Sequence, residues 1–550
     1  MERSLRNAPV VLLGVALAAA AAMTLALTAE FTFLQDTWEF LMNRRDPSLD
    51  ALLTPHNEHI VVFPVLIEEL LVHIFGMTSA RPEAVVLVIF LLATAALLFV
   101  YVRRRLGPWP ALFAAVALLC LGPAWEALLW PFEITFIGPA LFGLAMLLAL
   151  ERGDRTGDVA ACAFLILALG FSGLGIPFLL AGAVAIAIGG RETWRRRAFV
   201  VAVPALLYAV WYLGWGHDAE THVTLHNVLA SPRFVAEGLA AAVGALAGLG
   251  VNPDDGAVEL FWGWAILAAL VVALGYRQLR RPGFDRGLWP VAAAAAAYWF
   301  LMAFNQIPGR EAAASRYQYG GAIFVLLILA NLLHGARPRR NGLIALGAVT
   351  ALTIGPNLVV LKNGRDTLEV QSVLTRSDTA ALEIARRTVD PAFQLSPEVA
   401  GTGTLVDISA GPYFAAVDEY GSPAYSVAEL AAAPEDGRRQ SDVVLARALP
   451  LSTVTRLNSY RPGGVGGCTA LPAGDEKPEV AVGSGLTRIE VAPGPQASFS
   501  LRRFAVGEYP VSTEGAAGGS VTLLRIPRDA APRQPWYLRV EAPQPVKVCR

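Results

Sequence analysis

Long apolar segments that end at clusters of arginine restrict the fold of this chain more than any other feature. Only 16% of its 550 residues are charged and 55% are hydrophobic, whereas a soluble domain carries about 25% charged residues. About 20 apolar residues in a row are enough for a helix to cross a bilayer. The pattern therefore predicts an α-helical polytopic membrane protein.

The apolar segments predict about 11 transmembrane helices when each is given the length of one span. The stretch from 159 to 190 is too long for one span, and its glycine- and proline-containing turn at 171–177 divides it into two. A cleaved signal peptide is the alternative for 10–27, but that run is long for a signal peptide and no clear cleavage site follows it. The predicted spans are 10–27, 84–102, 109–121, 134–150, two within 159–190, 198–215, 258–276, 288–304, 320–333 and 342–361.

The arginine clusters set the predicted orientation. With the N-terminus inside, all of them fall on one side of the count, as the positive-inside rule requires. We therefore expect a multi-pass plasma-membrane protein with a cytoplasmic N-terminus and an extracytoplasmic C-terminal region. The clusters lie at 103–105, 152–155, 191–197, 277–281 and 337–340.

Composition changes near residue 364, and we expect two domains, 1–361 in the membrane and 362–550 outside it. The second part opens with helical spacing at 366–388 and continues with alternating segments between Gly- and Pro-rich turns, which predicts an α+β or β-sandwich-like domain. The outer loops of the first domain are predicted at 29–83, 122–133, 216–257 and 305–319. The predicted strands are 486–491, 497–506, 520–526 and 536–540.

Two of the four cysteines lie in this polar C-terminal part. If that part faces an oxidising compartment, a disulfide between Cys468 and Cys549 is the natural interpretation. Their spacing alone does not prove the pairing. The near-zero net charge of −1 argues against a nucleic-acid partner.

The loop after the first span is unusually rich in acids, imidazoles and aromatic groups for a bilayer surface. Asp36 lies close to the interface, where a carboxylate can accept a proton from a sugar hydroxyl. The alternative is that Asp36 caps a helix and Trp38 is an interfacial aromatic residue. His56 and His59 are spaced to share a helix face with Glu58 nearby, which suits phosphate or metal binding, although loop hydrogen bonding explains them equally well.

The other outer loops add further candidates. Arg310 and Arg316, with Tyr317 beside them, carry positive charge on the outer side, where a planar guanidinium can hold a phosphate; pairing with Glu311 is the alternative. Trp125 and Glu126 suit a sugar ring, with a role in the aromatic belt as the alternative. A third loop holds a set of histidines that are candidate ligands for a divalent metal ion, with a solvated loop as the alternative: His217, His222 and His226.

Many spans, an acid soon after the first helix, a long first outer loop and a C-terminal outer domain together resemble the GT-C class of membrane glycosyltransferases. The resemblance implies a polyprenyl-phosphate-linked sugar donor, and a cell-envelope glycan, lipid or protein as hydroxyl acceptor. It also implies that Asp36 is the catalytic acidic residue with Glu39 as its partner. This chain reads DTWE where the family often has adjacent acids.

Two other classes of protein remain. A transporter or flippase for a lipid-linked glycan would place ionisable groups near the middle of the spans, whereas these segments are almost free of charge. A non-catalytic scaffold that binds cell-wall polymer through its outer domain leaves the acid- and histidine-rich loops unexplained.

Overall fold

The structure is a computed structural model that describes residues 2–45, 48–249, 260–280, 283, 285–396, 407–457, 467–472 and 478–550. Part of the predicted outer loop 216–257 lies outside these residues. Helices dominate as far as residue 385, and strands follow from 452 onwards. The helices are α1 (Glu2–Leu27), α2 (Thr37–Asn43), α3 (Leu49–Leu53), α4 (Val62–Phe75), α5 (Arg81–Leu106), α6 (Pro108–Leu119), α7 (Trp125–Leu129), α8 (Ile134–Leu150), α9 (Arg155–Phe171), α10 (Ile176–Ile188), α11 (Gly190–Arg197), α12 (Phe199–Gly214), α13 (Leu225–Ala247), α14 (Leu260–Arg280), α15 (Leu288–Phe304), α16 (Ser315–Leu332), α17 (Arg340–Ala385), α18 (Ala410–Tyr420), α19 (Val427–Ala432) and α20 (Glu435–Ala448).

Within the described residues, six helices are long and apolar enough to cross a membrane, or up to eight if each of two bent pairs counts as one span. The chain is therefore a multi-pass membrane protein by length and composition. The predicted count of about 11 is not confirmed. Several predicted spans form helices of 12 to 17 residues, such as α6 and α15, which are shorter than the roughly 20 residues of one straight span.

One end of the helical part gathers the arginine clusters. Arg104 and Arg105 donate to Glu151 at 2.7 and 2.6 Å, and the Arg197 guanidinium lies 3.0 Å from Asp158. We call this the arginine end. Three of the five predicted clusters meet here, as expected if they share one side of the membrane.

The opposite end of the helical part, which we call the loop end, carries residues 122–133 and the N-terminus of α16. Asn357 of α17 lies at this end, because its side-chain oxygen accepts a hydrogen bond from the Gly122 N–H at 2.9 Å. The loop end corresponds to the predicted outer side, and the sidedness itself stays a prediction.

Helix α13 lies within the segment predicted as the outer loop 216–257, and it is a 23-residue helix long enough to span. At its start, the Asn227 amide donates to the carbonyl oxygens of Phe304 and Gln306 at 3.2 and 3.0 Å. At its far end, Gly248 lies against Thr353 and Asn357. Both ends of α13 therefore contact residues at the loop end, so the helix runs across its neighbours there.

The chain divides into two compact units. The first comprises 1–30, 46–71 and 81–368, and the second comprises 31–45, 72–80 and 369–550. Helix α17 continues without a break through the predicted domain boundary at 361/362. Two stretches of the first predicted outer loop, 31–45 and 72–80, thus belong with the C-terminal part.

Within the described residues, the strands form three antiparallel sheets: the pair β1 and β2, and two larger sheets that confirm a β-sheet domain in the C-terminal part. One sheet has the order β5-β10-β7-β8 and the other β3-β9-β6-β11-β4. Alternate residues such as Leu538 and Val540 are buried, as expected for strands with one face against a core. The strands are β1 (Gln394–Leu395), β2 (Ile408–Ser409), β3 (Ser452–Leu457), β4 (Cys468–Leu471), β5 (Glu479–Val482), β6 (Gly485–Val491), β7 (Ala497–Arg502), β8 (Val511–Ala516), β9 (Ser520–Ile526), β10 (Trp536–Glu541) and β11 (Val546–Cys549).

The predicted disulfide is present and joins two neighbouring strands. Cys468 and Cys549 are register partners in β4 and β11, and their sulfur atoms are bonded. The bond closes a loop with a sequence separation of 81 residues, and a closed loop of this length restricts the unfolded chain strongly. The disulfide therefore fixes the last strand of the domain.

Candidate active site at the loop end

The two histidines of the first outer loop lie in a tight turn rather than on a helix. The backbone N–H groups and carbonyls of His56 and His59 exchange hydrogen bonds at 2.9 Å in both directions. Between them, Asn57 has a φ of +48°, a left-handed conformation that asparagine tolerates better than most residues. The turn presents Glu58 at its tip. The two imidazoles therefore do not share a helix face, although their spacing allowed one.

Two glutamate–arginine pairs lie at the loop end. The Arg310 guanidinium donates through one nitrogen to both oxygens of Glu58 at 3.1 and 3.3 Å. The Arg316 guanidinium donates to Glu126 at 3.1 Å. All four residues are among the predicted site residues, but their pairing was not predicted, because it joins side chains far apart in the chain.

Tyr317 connects the two pairs. It lies within electrostatic range of Arg310, Arg316 and Glu58, and of the buried Glu133. The structure thus brings seven of the predicted site residues together in the first unit. We call them the loop-end cluster: His56, Glu58, His59, Glu126, Arg310, Arg316 and Tyr317.

The His59 ring packs against Gly173, a residue that was predicted only as part of a turn. A Cβ built on Gly173 would lie 2.9 Å from His59 Nδ1, closer than a real Cβ atom approaches its neighbours. Ser172 caps this short helical turn by accepting a hydrogen bond from the Leu174 N–H at 3.3 Å. Position 173 must therefore remain glycine for the imidazole to sit where it does.

We expect Gly173→Ala to lower the thermal unfolding temperature in detergent, at a cost of about 1–3 kcal/mol from overpacking. Gly275→Ala is the matched control, since nothing lies within 4 Å of a Cβ at Gly275. Removing the ring in the double variant Gly173→Ala/His59→Ala should restore part of the loss, because the clash disappears. Equal unfolding temperatures for Gly173→Ala and wild type would show that His59 is not packed against this turn.

Burial lowers the pKa of His59, and nearby Arg310 and His56 lower it further against the opposing effect of Glu58. The imidazole is therefore neutral at neutral pH, and its 3.6 Å contact with Glu58 is not an ion pair. A neutral ring can accept or donate a hydrogen bond to a substrate hydroxyl.

The lowered pKa of His59 gives a pH dependence with a definite sign. As pH falls, His59 in the unfolded chain takes up a proton near the ordinary histidine pKa of about 6.5, whereas His59 in the folded protein takes it up only at a lower pH. The contribution of His59 to stability is thus present above that pH and is lost as pH falls below it. We expect the unfolding temperature to drop between pH about 7.5 and 5.5, and to drop less in His59→Gln. Identical pH profiles for the two proteins would contradict this.

Asp36 and Glu39 belong to the second unit and are described there by themselves. Asp36 precedes α2 but its side chain makes no capping hydrogen bond, so the capping alternative is not realised. Trp38 is 1% exposed, and its indole N–H donates to the Phe33 carbonyl at 3.0 Å. Trp38 is thus a core residue of the second unit and not an interfacial one.

The Glu39 side chain pairs with a buried arginine. Its carboxylate accepts a hydrogen bond at 2.9 Å from Arg44, whose side chain is only 3% exposed. A buried guanidinium needs such a partner. The structure therefore gives Glu39 a structural contact, and its predicted catalytic role stays a prediction.

Strained backbone occurs beside both groups of candidates. Among the described residues, the non-glycine residues with positive φ are Gln35, at +45°, and Asn57, at +48°. Gln35 directly precedes Asp36, and Asn57 lies between His56 and Glu58. Non-glycine residues in this region cost about 1 kcal/mol or more and concentrate at functional sites, so both segments are marked as functional candidates.

The remaining predicted residues do not join the loop-end cluster. Trp125 packs on the backbone of α17, since a Cβ on Gly364 would lie 2.2 Å from the indole Cγ. His222 precedes α13 whereas His226 lies in its first turn, so they are not on one helix face, and His217 is exposed near Asp218. Within the described part of the chain, no group of three or more His, Cys, Asp or Glu residues is arranged to hold a metal ion. The divalent metal stays a prediction.

No family model and no curated protein matches this sequence. Among solved structures, the chain is similar to ArnT from Cupriavidus metallidurans bound to undecaprenyl phosphate, with 15% sequence identity and a TM-score of 0.45. The similarity covers 69% of this chain and 81% of ArnT. At this identity and TM-score the likeness concerns only the course of the chain, and the function proposed below rests on the residues of this protein.

Proposed function

We propose that this protein is a membrane glycosyltransferase that moves a sugar from a polyprenyl-phosphate carrier to a hydroxyl of a cell-envelope glycan, lipid or protein on the outer face of the plasma membrane. The observation that carries the proposal is the loop-end cluster. Arg310, Arg316 and Glu58 lie within electrostatic range of Tyr317, at one end of an otherwise apolar helical unit. Glu126 is hydrogen-bonded to Arg316, and the neutral imidazole of His59 lies beside Glu58.

The chemistry of such a transfer needs few protein groups. The acceptor oxygen bonds to the anomeric carbon, the bond from that carbon to the phosphate oxygen breaks, and the acceptor proton passes to a base. Phosphate is a good leaving group, so cationic groups that stabilise its developing charge are sufficient at that side. Arg310 or Arg316 supplies that charge, and Asp36 is the proposed base.

The position of the cluster fits a lipid-linked donor. Its polar groups lie where apolar helices end, which is the depth of a lipid phosphate in a bilayer. Charges within a spanning helix would instead indicate a transport path. In this proposal the N-terminus is cytoplasmic and the C-terminal β-domain is extracytoplasmic, where its disulfide is stable.

The test is sugar transfer from a panel of radiolabelled polyprenyl-phosphate sugars, using membranes that contain the full chain or an empty vector. Transfer of label from at least one donor to membrane or envelope material, above the empty-vector level, is the expected result. Movement of intact labelled donor across proteoliposome membranes without transfer would support the flippase alternative. If the protein neither transfers nor moves the donor but binds cell-wall polymer, the result would support the scaffold alternative and overturn the proposed enzymatic function.

A further inference from the structure

The two glutamate–arginine pairs of the loop-end cluster differ in how firmly they are tied. Glu126 accepts a hydrogen bond from the Arg316 side chain and also one from the Arg316 backbone N–H at 2.9 Å. In return, the Ser315 hydroxyl accepts a hydrogen bond from the Glu126 N–H at 3.1 Å. Glu126 therefore binds a backbone N–H at the N-terminus of α16 as well as the guanidinium, and displacing its carboxylate would leave the Arg316 N–H without this partner.

The Arg310–Glu58 pair has none of this support. A single nitrogen of Arg310 is shared between the two carboxylate oxygens, rather than two nitrogens bonding two oxygens side by side. Within the described residues, no other hydrogen bond involves the Arg310 guanidinium. Both side chains are partly exposed, at 19% and 17%, and both lie in loops. The pair can therefore separate without loss of any secondary structure.

We propose that Arg310 is the phosphate-binding arginine of this site and that Glu58 occupies its place until the phosphate arrives, whereas Arg316 is a fixed structural residue. This inference rests on the proposed function, since it takes a polyprenyl phosphate as the ligand. The phosphate oxygens take the place of the Glu58 carboxylate on Arg310. The carboxylate is then released beside His59, whose ring lies 3.6 Å away.

The charge of Glu58 has opposite effects on the empty site and on the binding of phosphate. An unpaired guanidinium in a partly buried site is costly, so an internal carboxylate that neutralises it stabilises the empty state. The same carboxylate competes with the ligand, and its charge opposes the approach of an anion. Glu58 therefore lowers the affinity for the phosphate, and removing its charge should raise that affinity.

The experiment measures binding of an undecaprenyl phosphate probe to the full chain in nanodiscs, with undecaprenol of the same length and inorganic phosphate as separate arms. We expect Glu58→Gln to bind undecaprenyl phosphate roughly tenfold more tightly than wild type, which corresponds to about 1.4 kcal/mol, and Arg310→Gln to bind it at least roughly tenfold more weakly. Glu311→Gln is the matched control. It removes the same charge from the same loop, but the Glu311 carboxylate accepts a hydrogen bond from the Gly309 N–H rather than from Arg310. The affinity of this variant should therefore stay within about twofold of wild type.

The possible outcomes separate the two proposals. Wild type that binds the lipid phosphate while Glu58→Gln binds it no more tightly overturns the exchange and leaves the proposed function standing. An equal gain in affinity in Glu311→Gln also overturns the exchange, because the effect would then come from the overall charge of the loop and not from the Arg310–Glu58 pair. If wild type does not bind undecaprenyl phosphate more tightly than undecaprenol, the proposed function itself is overturned. If the substitutions change the affinity for inorganic phosphate by the same factors, the site binds a free anion rather than the lipid. If Glu58→Gln does not fold, Glu58→Asp, whose shorter side chain loosens the pair, should show the same tightening.

Discussion

Asp36→Asn should abolish most sugar transfer, by roughly 10²–10⁴-fold, while the unfolding temperature stays close to that of wild type. Asparagine matches aspartate in size but cannot take the proton from the acceptor hydroxyl. A correctly positioned general base contributes roughly 10²–10⁴-fold to a reaction rate. The folded state should tolerate the change, because asparagine keeps the size and shape of the aspartate side chain. The strained φ of +45° at Gln35 fixes the backbone just before the carboxylate whether or not the charge is present.

The measurement is the transfer rate per folded molecule, with abundance and unfolding temperature determined for each variant. Asp418→Asn is the matched control, because Asp418 pairs with Arg386 on the exposed surface of the same unit, and such pairs contribute little. Transfer in Asp36→Asn at the rate of Asp418→Asn would remove Asp36 from the chemistry. Attention would then turn to Glu58.

Glu39 provides a useful contrast to Asp36 within the same short segment. Glu39→Gln should lower the unfolding temperature, because it weakens the partner of the buried Arg44. The two acids are three residues apart and were grouped as catalytic partners by resemblance alone. Their environments separate them: one does not cap its helix, and the other neutralises a buried guanidinium.

Sequence patterns predicted the features that depend on composition over many residues. The arginine clusters at 103–105, 152–155 and 191–197 meet at one end of the structure, and the strands near 486–491, 520–526 and 536–540 were found close to their predicted bounds. Short edge strands such as β4 and β8 were missed, because four to six residues with exposed positions carry little hydrophobic signal.

The local geometry of the site was beyond these patterns. The spacing of His56 and His59 suits one turn of helix, yet Pro55 and the left-handed Asn57 favour a tight turn instead. The pairing of Glu58 with Arg310 joins positions 252 apart in sequence, and no local pattern encodes such a contact. The closeness of Gly173 to His59 is likewise a tertiary contact, visible in the sequence only as a glycine in a turn.

Asp529→Ala should destabilise the C-terminal domain more than any surface substitution, by about 3–5 kcal/mol, because it leaves a buried guanidinium without its counter-ion. Arg503 and Asp529 are 2% and 5% exposed, and they form two side-by-side hydrogen bonds at 2.6 and 3.0 Å. The same guanidinium donates to the carbonyl oxygens of Ala531 and Gln534, so it holds the segment before β10 against the end of β7.

Thermal unfolding of the full chain in detergent, followed by limited proteolysis of the C-terminal part, checks this prediction. Glu508→Ala is the control, since Glu508 pairs with Arg439 at the exposed surface and should cost less than about 1 kcal/mol. Replacing both partners with apolar residues, Arg503→Met/Asp529→Leu, should cost less than Asp529→Ala alone, because no charge is then left buried. A double variant less stable than Asp529→Ala would mean that the backbone contacts of Arg503, rather than its charge pairing, hold these strands together.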